Sequence, residues 1–228
     1  MGIIERAIVI GDIHGCRNEL AALVDACGVR PGDTVISVGD LVAKGPDSAG
    51  VLAFAREHRL LAVLGNHDAH VLDLHEAGHH EAARRGRIHH FEVAESLTDA
   101  DLAYLRSSPL WLRLPGLGPS GQDVVVVHGG FVPGVAPTEQ TREHCLNLRS
   151  IRGDGTPSRR IEGYPWASLW RGPEFLVFGH DAVRGLQRHP HATGLDTGCV
   201  YGKHLTALIL PEHRLVAVPA DHAYDPID

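Results

Sequence analysis

Ala7-Ile8-Val9-Ile10-Gly11-Asp12-Ile13-His14-Gly15 is the stretch whose reading decides the fold. Its first four residues are apolar and mostly β-branched. The run is too short for a helix and lacks the polar alternation of a half-exposed strand, so it reads as a strand buried on both faces. It stops at a glycine and turns polar at once. Asp12 and His14 lie two residues apart, so in extended backbone both side chains leave on one face and can meet one ligand.

The same pattern recurs outward along the chain. Residues 35–38 run into Gly39-Asp40, and residues 60–64 into Gly65-Asn66-His67-Asp68. Residues 124–127 run into His128-Gly129-Gly130, and residues 175–178 into Gly179-His180. Residues 16–27 carry Leu20, Leu23 and Val24 at helical spacing, and residues 47–58 carry Val51, Leu52 and Ala55. Strands alternating with helices predict parallel strands joined by helical crossovers, and in such sheets ligands collect beyond the C-terminal strand ends. Residues 69–85 and 98–107 read as helices. Residues 205–210 and 215–219 read as a hairpin, so the sheets are expected to be mixed. Residues 115–122 and 153–163 read as irregular loops, the second carrying Arg159 and Arg160. With no internal repeat and no linker, one domain over residues 1–228 is expected.

The bulk composition narrows the function. A chain of 228 residues with 43% hydrophobic content can bury one substantial core. Its formal net charge of −7 argues against polymeric nucleic acid as a main partner. Bound cations would offset that charge locally, so an anionic small substrate stays open. Cys16, Cys27, Cys145 and Cys199 form no CxxC pair, which indicates neither a zinc ribbon nor a disulfide framework. No leader-like N-terminus and no apolar stretch of membrane-spanning length is seen, so a cytoplasmic protein without a membrane partner is expected.

Among the residues of the strand-end motifs are two aspartates (Asp12, Asp40), three non-adjacent histidines (His14, His128, His180) and one asparagine (Asn66). Oxygen and imidazole donors without thiolate suit a paired divalent centre, with Mn²⁺ the first choice and Fe or Co²⁺ the alternatives. Asp40, past an adjacent strand, can bridge two ions. Taken singly, a Gly-Asp turn or a lone histidine is ordinary structure. Five of them at successive strand ends point to a site.

These motifs, in this order, resemble the calcineurin-like metallophosphoesterases of the bacterial phosphoprotein phosphatase type. Gly39 to Pro46, Gly65 to His70 and Leu195 to Gly202 are most similar to the symmetrical diadenosine tetraphosphatase (ApaH-like) branch. The resemblance spans residues 7 to about 210 and implies an α/β sandwich of two mixed β-sheets flanked by helices. It implies that Asp12, His14 and Asp40 hold one metal. Asp40, Asn66, His128 and His180 would hold the second, with Asp40 bridging. It implies that His67 is the general acid, and that Lys44 and an arginine grip phosphate. Lys44 stands where the superfamily usually has Arg. Arg149 is the candidate arginine and Arg152 its rival. Ala43 stands where protein phosphatases carry an Asp that pairs with the catalytic histidine, so a partner for His67 is left unnamed.

The expected activity is hydrolysis of a phosphoanhydride, with diadenosine tetraphosphate cut symmetrically into two ADP. Polyphosphate and nucleotide caps are related possibilities. The runner-up is a protein Ser/Thr or Tyr phosphatase acting on a phosphoprotein. A third reading, a non-catalytic metal-binding module, has no support in residues that are all intact. The other histidines, His75, His79, His80, His89, His90, His189 and His191 among them, read as mostly surface. Cys199 reads as packing.

Overall fold

The computed structural model describes residues 4–77 and 88–225. The opening run forms β1 (Ala7–Ile10), buried throughout as its composition requires. α1 (Arg17–Cys27), β2 (Thr34–Ser37), α2 (Ser48–Glu57) and β3 (Leu61–Ala62) complete the predicted alternation. Asp47 caps α2 by accepting the Gly50 N–H at 2.8 Å. β3 keeps only two residues of the expected five, because the chain leaves the sheet early toward the site.

Two five-stranded sheets result. The first has the order β13-β12-β1-β2-β3, with β12 (His204–Leu210) and β13 (Arg214–Pro219) forming the expected hairpin. β1, β2 and β3 are parallel, and β12 is antiparallel to β1. The second has the order β10-β11-β9-β5-β4. Here β5 (Val124–Val127), β9 (Phe175–Phe178) and β11 (Ala192–Gly194) are parallel, with β4 (Trp111–Leu114) and β10 (Gln187–His189) antiparallel at the edges. Both sheets are therefore mixed, as expected.

Period-two alternation sets the layers. Ala7 and Val9 of β1 meet Val124, Val126, Phe175 and Val177 of the second sheet in the inter-sheet core. Ile8 and Ile10 point the other way, against α1 and α2. Val125, Val127, Leu176 and Phe178 likewise face Trp166 and Trp170 on the outer side of their own sheet. Helices thus cover both outer faces.

The segment 153–163 contributes to a small sheet. β6 (Ser150–Ile151) pairs with both β7 (Pro157–Ser158) and β8 (Tyr164–Pro165). The predicted 69–85 helix instead starts inside the motif, as α3 (Asn66–Ala77), and residues 78–85 of that expectation lie outside the described residues. α4 (Ile88–Ser96) was not anticipated; α5 (Asp99–Ser107) was, and begins with a capping box from Thr98 to Asp101.

Phe178 is 1% exposed and its ring lies 4.7 Å from that of Trp166, directly before Gly179-His180. Phe178→Ala is expected to cost about 3–5 kcal/mol in urea unfolding. A loss under about 1 kcal/mol would mean that this face of the sheet is not packed as described.

Candidate metal centre and active site

The C-terminal ends of β1, β2, β3, β5 and β9 converge, and the loops that follow carry the polar motifs. Asp12, His14, Asp40, Asn66, His67, Lys44, Arg149 and His180 line one small cavity. His128 reaches it from β5 and is fully buried. All the residues expected from sequence are therefore brought together, except Arg152. That arginine lies outward, paired with Glu162 and exposed.

Asp40 is the hub. Its Oδ1 accepts the backbone N–H of His67 at 2.8 Å. Its Oδ2 lies 3.4 Å from His14 Nε2 and 3.4 Å from His128 Nε2. Asn66 Oδ1 sits 2.9 Å from both His128 Nε2 and His180 Nδ1. Asp12 receives the backbone N–H of His180 at 3.1 Å, which ties the first sheet to the second.

The tautomers decide what this cluster can bind. His14 Nδ1 faces the Val42 carbonyl at 3.2 Å, and His128 Nδ1 faces that of Val38 at 3.0 Å. A carbonyl only accepts, so each Nδ1 carries the proton and each Nε2 presents a lone pair. Burial holds both imidazoles neutral: His128 is pushed down to about 4, and His14 well below its ordinary value. Lone pairs on nitrogen thus face lone pairs on carboxylate and amide oxygen. Such an array is repulsive until a cation enters, and its donors suit hard or borderline divalent ions. Asp12, Asp40 and His128 can bring donor atoms within 4.8 Å of one another, as can His14, Asp40 and His67. The residues therefore fit a dinuclear divalent centre.

Asp68 holds the frame. Its carboxylate accepts N–H groups from Leu41, Val42 and Gly65 at 2.9, 3.2 and 3.0 Å. The bond from Gly65 is half of a capping box, which explains why α3 begins at Asn66. Gly65 has no alternative, because a Cβ there would lie 2.2 Å from Asp40 Oδ1.

Three residues were not named as site residues from the sequence. Asp196 follows β11 as Asp12 follows β1, is 5% exposed, and lines the cavity. Tyr201 receives the Lys44 ammonium on its hydroxyl at 2.7 Å. Burial works against the charge on Lys44, yet Tyr201, Asp40 and Asp12 hold its pKa above the usual value. His90 corrects the surface reading: it is half-buried on α4, and its Nε2 lies 2.8 Å from His67 Nδ1. It is a hydrogen-bond partner of His67 where Ala43 offers none. No motif marks it, since it comes from a separate helix 23 residues away. Of the other histidines read as surface, His75 and His89 are exposed, while His79 and His80 lie outside the described residues.

Arg149 is committed by geometry. Its guanidinium donates to the His180 carbonyl at 2.9 Å and to that of Arg159 at 3.1 Å. All four cysteines are free and buried, and Cys199 packs in the core as read.

Burial pushes the Asp40 and Asp196 carboxyls up to about 6. Burial, reinforced by Asp196 and Asp40, raises Asp12 well above the carboxylate range. A carboxylate binds a cation only when ionised, whereas the imidazoles already stay neutral below their usual pKa. Affinity for Mn²⁺ should therefore rise with pH through about 6. Calorimetry in buffers of different ionisation enthalpy should show protons released on binding at about pH 5.5 and few at about pH 8. Release that grows with pH would contradict this assignment.

The family model described as calcineurin-like phosphoesterase matches residues 5–217. An asymmetrical bis(5'-nucleosyl)-tetraphosphatase PrpE from Bacillus velezensis is 28% identical, covering 95% of this chain and 94% of its own. A symmetrical bis(5'-nucleosyl)-tetraphosphatase from Aromatoleum aromaticum is 29% identical, covering 92% and 96%. The crystal structure of a candidate diadenosine tetraphosphatase superposes with a TM-score of 0.83 and 38% identity over 94% of this chain and 93% of that one. A Saccharomyces cerevisiae protein serine/threonine phosphatase, 16% identical with a TM-score of 0.61 over 94% and 79%, shares the fold.

Proposed function

Because the chain belongs to the calcineurin-like phosphoesterase family, whose members work through a dinuclear divalent centre, we propose that it hydrolyses dinucleoside tetraphosphates. The first substrate is diadenosine tetraphosphate, cut at its central anhydride into two ADP. The observation that carries this reading is the convergence of lone pairs from His14, His128, Asn66 and Asp40 on one buried point. Relatives of both cleavage registers align along nearly the whole chain. We place the cut centrally because the Leu195–Gly202 stretch, which carries Asp196 and Tyr201, resembles the symmetrical branch.

We assign Asp12, His14 and Asp40 to one ion and Asp40, Asn66, His128 and His180 to the other, with Mn²⁺ the first choice. Bound there, the pair supplies an activated water and neutralises phosphoryl oxygens. Lys44 and Arg149 hold the scissile phosphate, Lys44 as a point charge steadied by Tyr201. His67 serves the leaving oxygen. Burial, together with His14 and Lys44, holds its pKa well below the ordinary value, so the ring is neutral in the free protein. A neutral ring can still donate from Nε2 if its Nδ1 accepts. His90 Nε2–H is placed to make that bond, and it fixes the tautomer of His67.

Metal-stripped protein refilled with Mn²⁺ should convert diadenosine tetraphosphate to ADP alone, read by ion-exchange chromatography. AMP with ATP would move the register to the asymmetrical one. No turnover, with a phosphopeptide cleaved instead, would overturn the substrate assignment. His67→Ala should lower kcat roughly 10²–10⁴-fold. His90→Ala should lower it about 10- to 100-fold with KM little changed, and His90→Gln should restore part by returning an N–H donor. An inert His90→Ala would remove this histidine from the mechanism.

A further inference from the structure

Beside the metal centre opens a cleft of about 630 Å³ between α3, α6 (Arg142–Asn147) and the small three-stranded sheet. It shares Asn66, Arg149 and His180 with the site and extends outward past Arg142 and Arg159. A further 460 Å³ hollow, also bordered by Arg159, continues toward Arg160 and Arg152. We propose that this cleft is a phosphate-chain subsite, in which Arg159 and Arg142 hold phosphates distal to the scissile anhydride while the base goes unread. This rests on the hydrolase reading above and names how its substrate is gripped.

Three observations carry it. First, the Arg159 backbone is tethered to the centre, because one guanidinium, that of Arg149, spans its carbonyl and the His180 carbonyl at 3.1 and 2.9 Å. Arg159 therefore projects from a fixed point beside the reacting phosphate. Second, neither Arg142 nor Arg159 pairs with a carboxylate among the described residues. Their neighbours Arg152 and Arg184 are spent on Glu162 and Asp181. Asp73 and Glu143 also border the cleft, but Glu143 is engaged by the Asn147 amide at 3.1 Å. Third, among the described residues the lining contains no Phe, Tyr or Trp, its rings are the small imidazoles of His70 and His180, and its apolar floor is Ala69 and Leu146. Stacking on an aromatic ring is the usual way to hold a nucleobase, so this surface recognises charge along a chain more than the group at its end. Guanidinium forks suit non-bridging phosphate oxygens.

Two readouts on the Mn²⁺-loaded protein test this. One is KM for the tri-, tetra- and pentaphosphate dinucleotides of adenosine and for the guanosine tetraphosphate analogue. The other is inhibition of p-nitrophenyl phosphate turnover by inorganic tri- and tetraphosphate, which needs no dinucleotide hydrolysis. Affinity should rise with phosphate number, and the guanosine and adenosine compounds should differ less than about threefold. Arg159→Ala should lower the ratio of kcat/KM for diadenosine tetraphosphate to that for p-nitrophenyl phosphate about tenfold, and weaken tetraphosphate inhibition similarly. Arg159→Lys should recover part, and the double change with Arg142→Ala should lose more. Exposed Arg188, bordering a cavity away from the centre, serves as the charge-loss control in Arg188→Ala. A flat dependence on phosphate number, equal losses on both substrates, or strong base discrimination would overturn the subsite. If the wild type leaves dinucleotides intact but inorganic tetraphosphate inhibits through Arg159, the subsite stands and the substrate assignment falls.

Discussion

The structure turns on one buried carboxylate. Asp40 is 2% exposed and lies where the loops of both sheets meet. One oxygen takes the His67 N–H at the start of α3, so a helix N-terminus with its partial positive charge points at it. The other faces the imidazoles of His14 and His128. Burying a carboxylate is costly unless it is paired, which is why its pKa rises and why the arrangement calls for a cation. Everything nearby serves this placement, including Asp68 clamping the loop and glycines that let backbones approach.

The backbone around Asp40 is held in unusual conformations. Among the described residues, His14, Asp40, Ala43, Lys44 and His180 have φ between 47° and 69°, a region that side-chain-bearing residues rarely occupy. Each such residue costs on the order of 1–3 kcal/mol and persists only where its surroundings over-determine it. Here they do. Ile13 and His14 both donate to the Asp40 carbonyl, at 3.1 and 2.8 Å, and Ala43 donates to Ser48 Oγ at 3.0 Å. The bent loops aim side chains across the gap between strands that regular geometry would leave apart. Stability is exchanged locally for a preorganised ligand set.

What was legible in the sequence follows from the same physics. Ala7–Ile10, Val124–Val127 and Phe175–Phe178 are buried on both faces, so they stand out as unbroken apolar runs ending at glycine or histidine. The edge strands Trp111–Leu114 and Gln187–His189 carry arginines and face solvent on one side, so they lack that signature. The two-residue strands around Ser150–Ile151 are too short for any periodicity. Asp196 was readable in principle, as an aspartate two residues past a strand, but Ala192–Gly194 contains no apolar run to announce that strand. His90 was not readable at all. Its contact with His67 depends on how α4 docks against α3, a tertiary fact with no local spacing rule.

That docking bears on the chemistry. An aspartate at position 43 would favour a protonated His67, a strong acid suited to expelling an alkoxide. Here Ala43 removes that carboxylate and a neutral ring from α4 takes its place. A histidine partner fixes the tautomer of His67 but supplies no negative charge to stabilise an imidazolium, and Lys44 close by opposes one further. In the free protein His67 is thus a neutral hydrogen-bond donor. A phosphate leaving group departs as a stable anion and needs little more than such a donor, whereas a serine alkoxide needs the proton itself. The presence of His90 in place of a carboxylate therefore accords with the anhydride substrate proposed above.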